Sequence, residues 1–345
     1  MTTIERLAAG DARSAASWDA FVAACPDATF FHRAGWQGVL QESFRHQTHF
    51  LFAHEQGRIT GVLPLAHVKS LLFGNALTSL PFAVYGGVAA VDEITATALE
   101  NEAQQLAQRL RVDHLELRQV ARRHEGWPAQ DLYVTFRKPI LADVEANMLA
   151  IPRKQRAMVR KGIKGGLVSE TDSGIDAFFS LYADNVHRHG TPAMPKRYFA
   201  ALRREFGRDC DVLNVRGPDG RLLSSVLSFY FKDEVLPYYA GDAEAARDLA
   251  GNDFKYWELM RRSCERGLKL FDYGRSKQGT GSYSFKKNWG FEPLPLNYEY
   301  RLYKREAIPQ NNPANAKYKL MIETWRRLPI GFANWLGPFV VRSLG

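Results

Sequence analysis

The chain has 345 residues, 46% hydrophobic and 24% charged, and its formal net charge is +9. That length allows two domains of ordinary size, and the composition is that of a soluble globular protein rather than a disordered one. The positive excess favours anionic partners: phosphates, nucleic acid or an acidic membrane face. Cys25, Cys210 and Cys264 are far apart and form no CxxC pair or Cys/His cluster. This argues against a metal site and for buried thiols in a reducing compartment. No apolar leader opens the chain, and no apolar run reaches the roughly 18–20 residues of a spanning helix. The expected location is cytoplasmic.

Taken in chain order, Ser17 is placed to cap a helix over WDAFVAAC. Trp36, in FFHRAGW, reads as a core residue. Residues 49–68, HFLFAHEQGRITGVLPLAHV, form a hairpin turning at Gly57-Arg58. A strand-like LTSLPFAVYGGVA, a helix-like ALENEAQQLAQRL and a strand, VDHLELR (residues 112–118), follow. The second half repeats the series. DVLNVRGPDGRLLSSVLSFYF (residues 211–231) turns at Gly220-Arg221, and EVLPYYAGD, DFKYWELMRRSCERG and LKLFDYGR (residues 268–275) follow. Hairpin, strand, helix and strand thus recur in one order, with the two Gly-Arg turns 163 residues apart (220 − 57). Duplication of an αβ unit explains this. Pro139 and Pro152 bracket the expected boundary. The expected divisions are 1–150, 151–305 and 306–345, the last holding a helix and an apolar tail.

Residues 151–167, IPRKQRAMVRKGIKGGL, predict a helix entered at Pro152 and ended by Gly165-Gly166. Arg153, Lys154, Arg156, Arg160, Lys161 and Lys164 fall within an arc of roughly 160°. No acid relieves them until Glu170. One face packs and the other offers a surface for phosphates, to which arginine bonds in bidentate fashion. Asp176 to Arg188 and Lys196 to Phe206 are further helices. The stretch after Tyr273, GRSKQGTGSYSFKKNWGFEP, reads as a cationic glycine-rich loop beyond a strand end, where open αβ sheets bind ligands. Gly274, Gly279 and Gly281 permit close backbone approach, and Arg275 and Lys277 supply charge. Asp272 is the candidate general base, with His187 and His189 as alternatives.

The segments IPRKQR…RK, LPYYAGD, FDYGRS and GSYSFKKNWGFEPLPLNYEYRL resemble those of Fem-type (FemAB-like) transferases, over roughly residues 20–305. More narrowly they resemble the FemAB-related proteins associated with exosortase/PEP-CTERM systems. The resemblance implies an α/β fold built as a tandem duplication of a GNAT-type acyltransferase domain, a mixed sheet flanked by helices. It implies acyl or aminoacyl transfer onto an amine of a cell-envelope or exopolysaccharide-related precursor. Lys286 would sit at the transfer site and stabilise the oxyanion. Tyr239, Arg275, Ser276 and Lys277 would join Arg153, Lys154, Arg156, Arg160 and Lys164 in binding substrate. The long coiled-coil arm of some Fem enzymes has no counterpart here.

No bound cofactor is implied; aminoacyl-tRNA or acyl-CoA would be the acyl donor. Against acyl-CoA, ARDLAGNDF carries Ala250 where the pyrophosphate loop has its first glycine. The alternatives are an acyl-CoA-dependent GNAT N-acyltransferase and a non-catalytic protein binding an anionic polymer. The partner is a phosphate-bearing precursor or aminoacyl-tRNA; no oligomeric state is read. IPQNNPANAK reads as a loop and YKLMIETWRRL as a last helix. The closing PIGFANWLGPFVVRSLG either covers an apolar groove or makes weak peripheral contact with the inner membrane.

Overall fold

The computed structural model describes residues 2–70, 74–309 and 316–343. The first half runs β1 (Thr3–Arg6), α1 (Ala12–Ala24), α2 (Trp36–Phe44), β2 (Gln47–Glu55), β3 (Arg58–Ser70), β4 (Gly74–Ser79), β5 (Ala89–Ala90), α3 (Glu93–Arg109), β6 (His114–Gln119) and β7 (Ala129–Gln130). Next come β8 (Tyr133–Pro139), α4 (Val144–Ala150), α5 (Arg153–Lys164), β9 (Val168–Asp172), α6 (Asp176–Arg188), α7 (Lys196–Phe206), β10 (Cys210–Arg216), β11 (Leu222–Phe231) and β12 (Glu234–Asp242). The chain closes with α8 (Gly251–Glu265), β13 (Leu270–Asp272), β14 (Ser276–Lys277), α9 (Gly281–Asn288), β15 (Pro293–Pro295), β16 (Asn297–Leu302), α10 (Ala316–Arg327) and α11 (Ile330–Val341).

Two compact units result. The first comprises Met1–Asp131, Pro295–Asn311 and Phe339–Gly345; the second comprises Leu132–Leu294 and Asn312–Pro338. The first unit's sheet has the order β1-β2-β3-β4-β6-β16-β7, and the second's has β14-β8-β13-β12-β11-β10-β9. Within them the series β2–β3–β4–α3–β6 and β10–β11–β12–α8–β13 have the same topology. Each is an antiparallel meander whose last strand pairs parallel to the strand after the helix. The likeness reaches single residues. Both hairpins carry a bulge three residues past the turn glycine, at Thr60 and at Leu223. Both bulge carbonyls accept an N–H from beyond the meander, Val91 (2.9 Å) and Ala243 (2.8 Å). The expected duplication is present.

The expected divisions at 150 and 306 do not coincide with these units, because one strand of each repeat is exchanged. β8 follows the first repeat in sequence, yet it pairs antiparallel with β13 of the second. Its Val134 and Phe136 enter the second unit's core beside Val226, Val235, Trp257, Phe271 and Trp289. β16 follows the second repeat and pairs with β6 of the first, where Tyr298 donates its hydroxyl to Val84 O (2.7 Å). The first unit's core gathers Leu51, Leu63, Leu65, Leu77, Leu99, Leu115 and Leu117. Trp36 is fully buried, its Nε1 donating to Phe30 O.

Helix ends follow side-chain caps. Asp11, Asp92, Asp143 and Thr280 accept the N–H groups of Ser14, Thr95, Ala146 and Tyr283. α1 therefore starts earlier than expected: Asp11 caps it, and Ser17 lies inside the helix with its hydroxyl on Arg13 O. The closing apolar segment is helical, as α11. Residues 310–315 of the expected loop lie outside the described residues.

Candidate active site in the second unit

β12 and β13 run parallel but share only two register pairs, Glu234↔Leu270 and Val235↔Phe271. β12 continues to Asp242 on β11, whereas β13 stops at Asp272. The sheet therefore opens at the carboxyl ends of two parallel strands, where ligands of such sheets bind. α8 starts at this end and returns the chain to β13.

The turn that leaves β13 is braced from both sides. Gly274 has φ +65°, a left-handed conformation suited to glycine, and its N–H donates to Asp272 Oδ1 (2.8 Å). Thr135 Oγ1 donates to the same oxygen, and Arg137 Nε lies 3.2 Å from Oδ2. Asp272 is fully buried. A general base must reach its substrate's proton; enclosed and bonded in this way, Asp272 instead holds the turn.

Lys286 is also buried, and its Nζ donates to Tyr273 O (2.7 Å), Gly274 O (3.0 Å) and Arg275 O (3.2 Å). Three carbonyls use all three donors of an ammonium, so none remains for an oxyanion in this arrangement. The expected electrophilic lysine is a strut beneath the turn. Burial lowers its pKa to about 7, with Asp272 opposing that shift. The stretch expected to be a loop is partly regular: β14 pairs with β8, and SFKKN lies in α9. Gly281 begins that helix, and nothing lies within 4 Å of a Cβ placed there.

The remaining expected residues separate into groups. Arg275 stacks its guanidinium over Tyr133 (4.5 Å), Ser276 is buried with its hydroxyl 3.0 Å from that of Ser282, and Lys277 is half-buried on β14. Tyr239 belongs to an aromatic cluster with Tyr182, Tyr198 and Phe199, its hydroxyl 3.0 Å from that of Tyr198. His187 bonds the Leu328 carbonyl. α5 buries Val159 and Gly162 as expected, and a Cβ at Gly162 would meet Phe254 of α8 at 2.9 Å. Arg153, Lys154, Arg160, Lys161 and Lys164 are exposed, and Arg156 is half-buried with Nη1 toward Leu149 O. Among the described residues no carboxylate pairs with any of the six. The contact with Phe254 sets the carboxyl end of this cationic helix beside the start of α8.

Sequence reasoning passed over a buried polar group at the same turn. Tyr273, just past β13, is buried among Tyr256, Phe285 and Phe291, and its hydroxyl has no hydrogen-bond partner among the described residues. Burial, reinforced by Tyr256, Asp253 and Asp242, holds the phenol well above its ordinary pKa, so it stays a proton donor. Asp253, in the first turn of α8, accepts Trp289 Nε1 (2.9 Å), and burial raises its pKa. The FDYG run was the available signal, but its tyrosine read as one more strand residue.

The acetyltransferase (GNAT) domain family matches residues 151–287. Over 137 residues the chain is 23% identical to the UDP-N-acetylmuramoylpentapeptide-lysine N(6)-alanyltransferase of Weissella viridescens, a match covering 38% of this chain and 40% of that one. The chain thus matches well under two thirds of that relative. The structure of FemX aligns with a TM-score of 0.69 at 15% identity, covering 87% of this chain and 98% of that chain. A tandem GNAT protein from the clavulanic acid biosynthesis pathway aligns at 0.55 and 15%, covering 89% and 100%. The C-terminal domain of a putative lysylphosphatidylglycerol synthetase from Agrobacterium fabrum aligns at 0.55 and 15%, covering 91% and 96%. With its duplicated mixed sheets and the GNAT domain matched in its second half, the chain has the tandem GNAT fold and is similar to Fem-type transferases.

Proposed function

We propose that this protein is an N-acyltransferase of the aminoacyl-transfer type, acting on a phosphate-bearing precursor of the cell envelope, exopolysaccharide-related precursors included. The observation that carries the reading is α5, a helix of six cations without an ion-pair partner among the described residues, packed on α8 at the open end of the second sheet. Such a face suits a diphosphate-linked acceptor or the phosphates of tRNA. The Weissella relative, by its name, alanylates a lysine of a UDP-linked pentapeptide.

In this chemistry the acceptor amine attacks the ester carbonyl of the donor. A C–N bond forms, the C–O bond breaks, and a proton from the amine ends on the departing hydroxyl. The Tyr273 phenol is the donor for the developing oxyanion or the leaving oxygen. Lys286 and Asp272 act as positioning residues that fix the 273–275 turn.

Acyl-CoA fits poorly. Residues 242–253, DAEAARDLAGND, hold four acids and one arginine where a pyrophosphate loop would lie. Asp253 already places a carboxylate in the first turn of α8, and Ala250 caps the helix with a Cβ at φ +57°. A second anion would meet repulsion there.

The test incubates purified protein with a UDP-linked muropeptide and either aminoacyl-tRNA or acyl-CoA, then reads acceptor mass. Gain of one aminoacyl residue, dependent on the charged tRNA, is expected. Product with acyl-CoA alone would overturn the donor assignment. Retention of both ligands without product would leave a binder of anionic polymers.

A further inference from the structure

α11 shows two contrasting faces. Ala333, Gly337 and Val341 fall within an arc of roughly 80° and are buried. A Cβ at Gly337 would lie 3.0 Å from Ala193 O, so the helix backbone rests directly on that loop. α10 is fixed nearby: Ile322 packs on Gly190, and the Leu328 carbonyl bonds His187 Nε2 (3.0 Å). Phe332, Trp335 and Phe339 fall within an arc of roughly 60° on the far side. They are 48%, 63% and 62% exposed. Phe332 and Trp335 lie ring to ring at 5.6 Å. A docked helix thus turns three large aromatics to solvent.

Charge frames this face. Arg326 and Arg327 are exposed just before α11, and Arg342 is exposed just after it. From Thr324 to Gly345 the chain holds three arginines and no acid. The twelve-residue helix is too short to cross a bilayer, and among the described residues no helix is long and apolar enough to do so. Aromatics flanked by cations match the interface of an anionic bilayer, where Trp rings sit at headgroup depth and arginines meet phosphates. A second copy of the chain fits less well. One helix face offers far less than the ~800 Å² per partner of a stable dimer, and a two-fold contact would set like charges together.

We propose that the exposed face of α11 docks on the surface of an anionic lipid bilayer, with Phe332, Trp335 and Phe339 entering the interface and Arg326, Arg327 and Arg342 on the headgroups. The inference stands on α11 and is independent of the proposed reaction. It is tested with the full chain on sedimenting vesicles of phosphatidylcholine with phosphatidylglycerol, and of phosphatidylcholine alone. Preferential binding to the anionic vesicles is expected. Phe332→Ser/Trp335→Ser/Phe339→Ser and Arg326→Glu/Arg327→Glu/Arg342→Glu should each weaken it by at least about tenfold. Their melting temperatures should stay at the parent value, since the altered side chains are exposed. Brominated lipid should quench the parent more than Trp335→Phe. Wild-type protein that ignores anionic vesicles would overturn the proposal. So would a serine variant that binds like the parent, or one that only converts a dimer to a monomer.

Discussion

Replacing Lys286 with methionine removes the ammonium beneath the Tyr273–Arg275 turn while keeping most of the side-chain volume. The instructive variable is pH. In the folded chain the Lys286 pKa is lowered to about 7, by burial first, with Asp272 opposing and Arg275 assisting. In the unfolded chain it returns to the ordinary value near 10.4. Between these values the unfolded state binds a proton that the folded state has released. Stability therefore rises with pH across the interval, by up to ~1.4 kcal/mol per unit. From pH 7 to pH 9 this amounts to ~2 kcal/mol, or ~4–8 °C in melting temperature for a unit of this size. Lys286→Met cannot show it.

The measurement is a set of urea melts of parent and variant from pH 6 to pH 9, read as the difference between them. Other titrations cancel in that difference. One is His124 of the first unit, raised to about 9 chiefly by its bond to Glu100 and then by Glu299. It acts in the opposite sense, its stabilisation being complete below ~6.5 and lost as pH rises through about 9. The parent should gain on the variant above neutral pH. Parallel curves would show that Lys286 keeps its proton, and the argument from burial would fail.

Tyr273→Phe deletes a buried hydroxyl that bonds nothing among the described residues, so melts should show no loss of stability; transfer activity should fall by ~10²–10³. Activity within a few-fold of the parent would remove Tyr273 from the proposed chemistry. Gly241→Ala places a Cβ 2.5 Å from Leu181 C and Tyr182 N of α6; backbone cannot give way cheaply, and a loss of ~2–4 kcal/mol by urea unfolding is expected. Arg160→Glu with Lys164→Glu should leave the melting temperature unchanged but weaken retention of tRNA at low salt by more than about tenfold. Equal retention of parent and variant would detach α5 from phosphate binding.

Much of the architecture was legible because it rests on short-range signals. Alternating apolar residues, Gly-Arg turns and one helical period fixed the order of elements in both halves, and the matching bulges at Thr60 and Leu223 extend that symmetry. The α5 faces were legible too, since Val159 and Gly162 lie opposite the cations. The site was less so. Resemblance places Lys286 at the transfer site, and nothing local announces that three successive carbonyls will converge on its Nζ. Tyr273 was hidden differently: an unsatisfied hydroxyl is a property of its surroundings in the fold.

The exchanged strands show where local patterns lose their authority. YVTFRKP, the sequence of β8, alternates well enough to be a strand, but alternation specifies faces and not partners. Its partner follows from what its inward residues can bury, and Phe136 is fully enclosed beside Trp289 and Phe271. β16 makes the reciprocal choice, with Tyr298 and Tyr300 buried against the first unit. β16 is an interior strand, bonded on two edges between β6 and β7, while β8 runs antiparallel to β13 and then β14 in near-continuous register and also pairs with β15. A division at residue 150 would thus cut no natural boundary. It would take β16 from the first sheet and β8 from the second and leave the ladder edges of β6 and β13 unpaired, a configuration prone to mispairing. Each repeat supplies the strand that completes the other's sheet, so the folding of either half is tied to the presence of both.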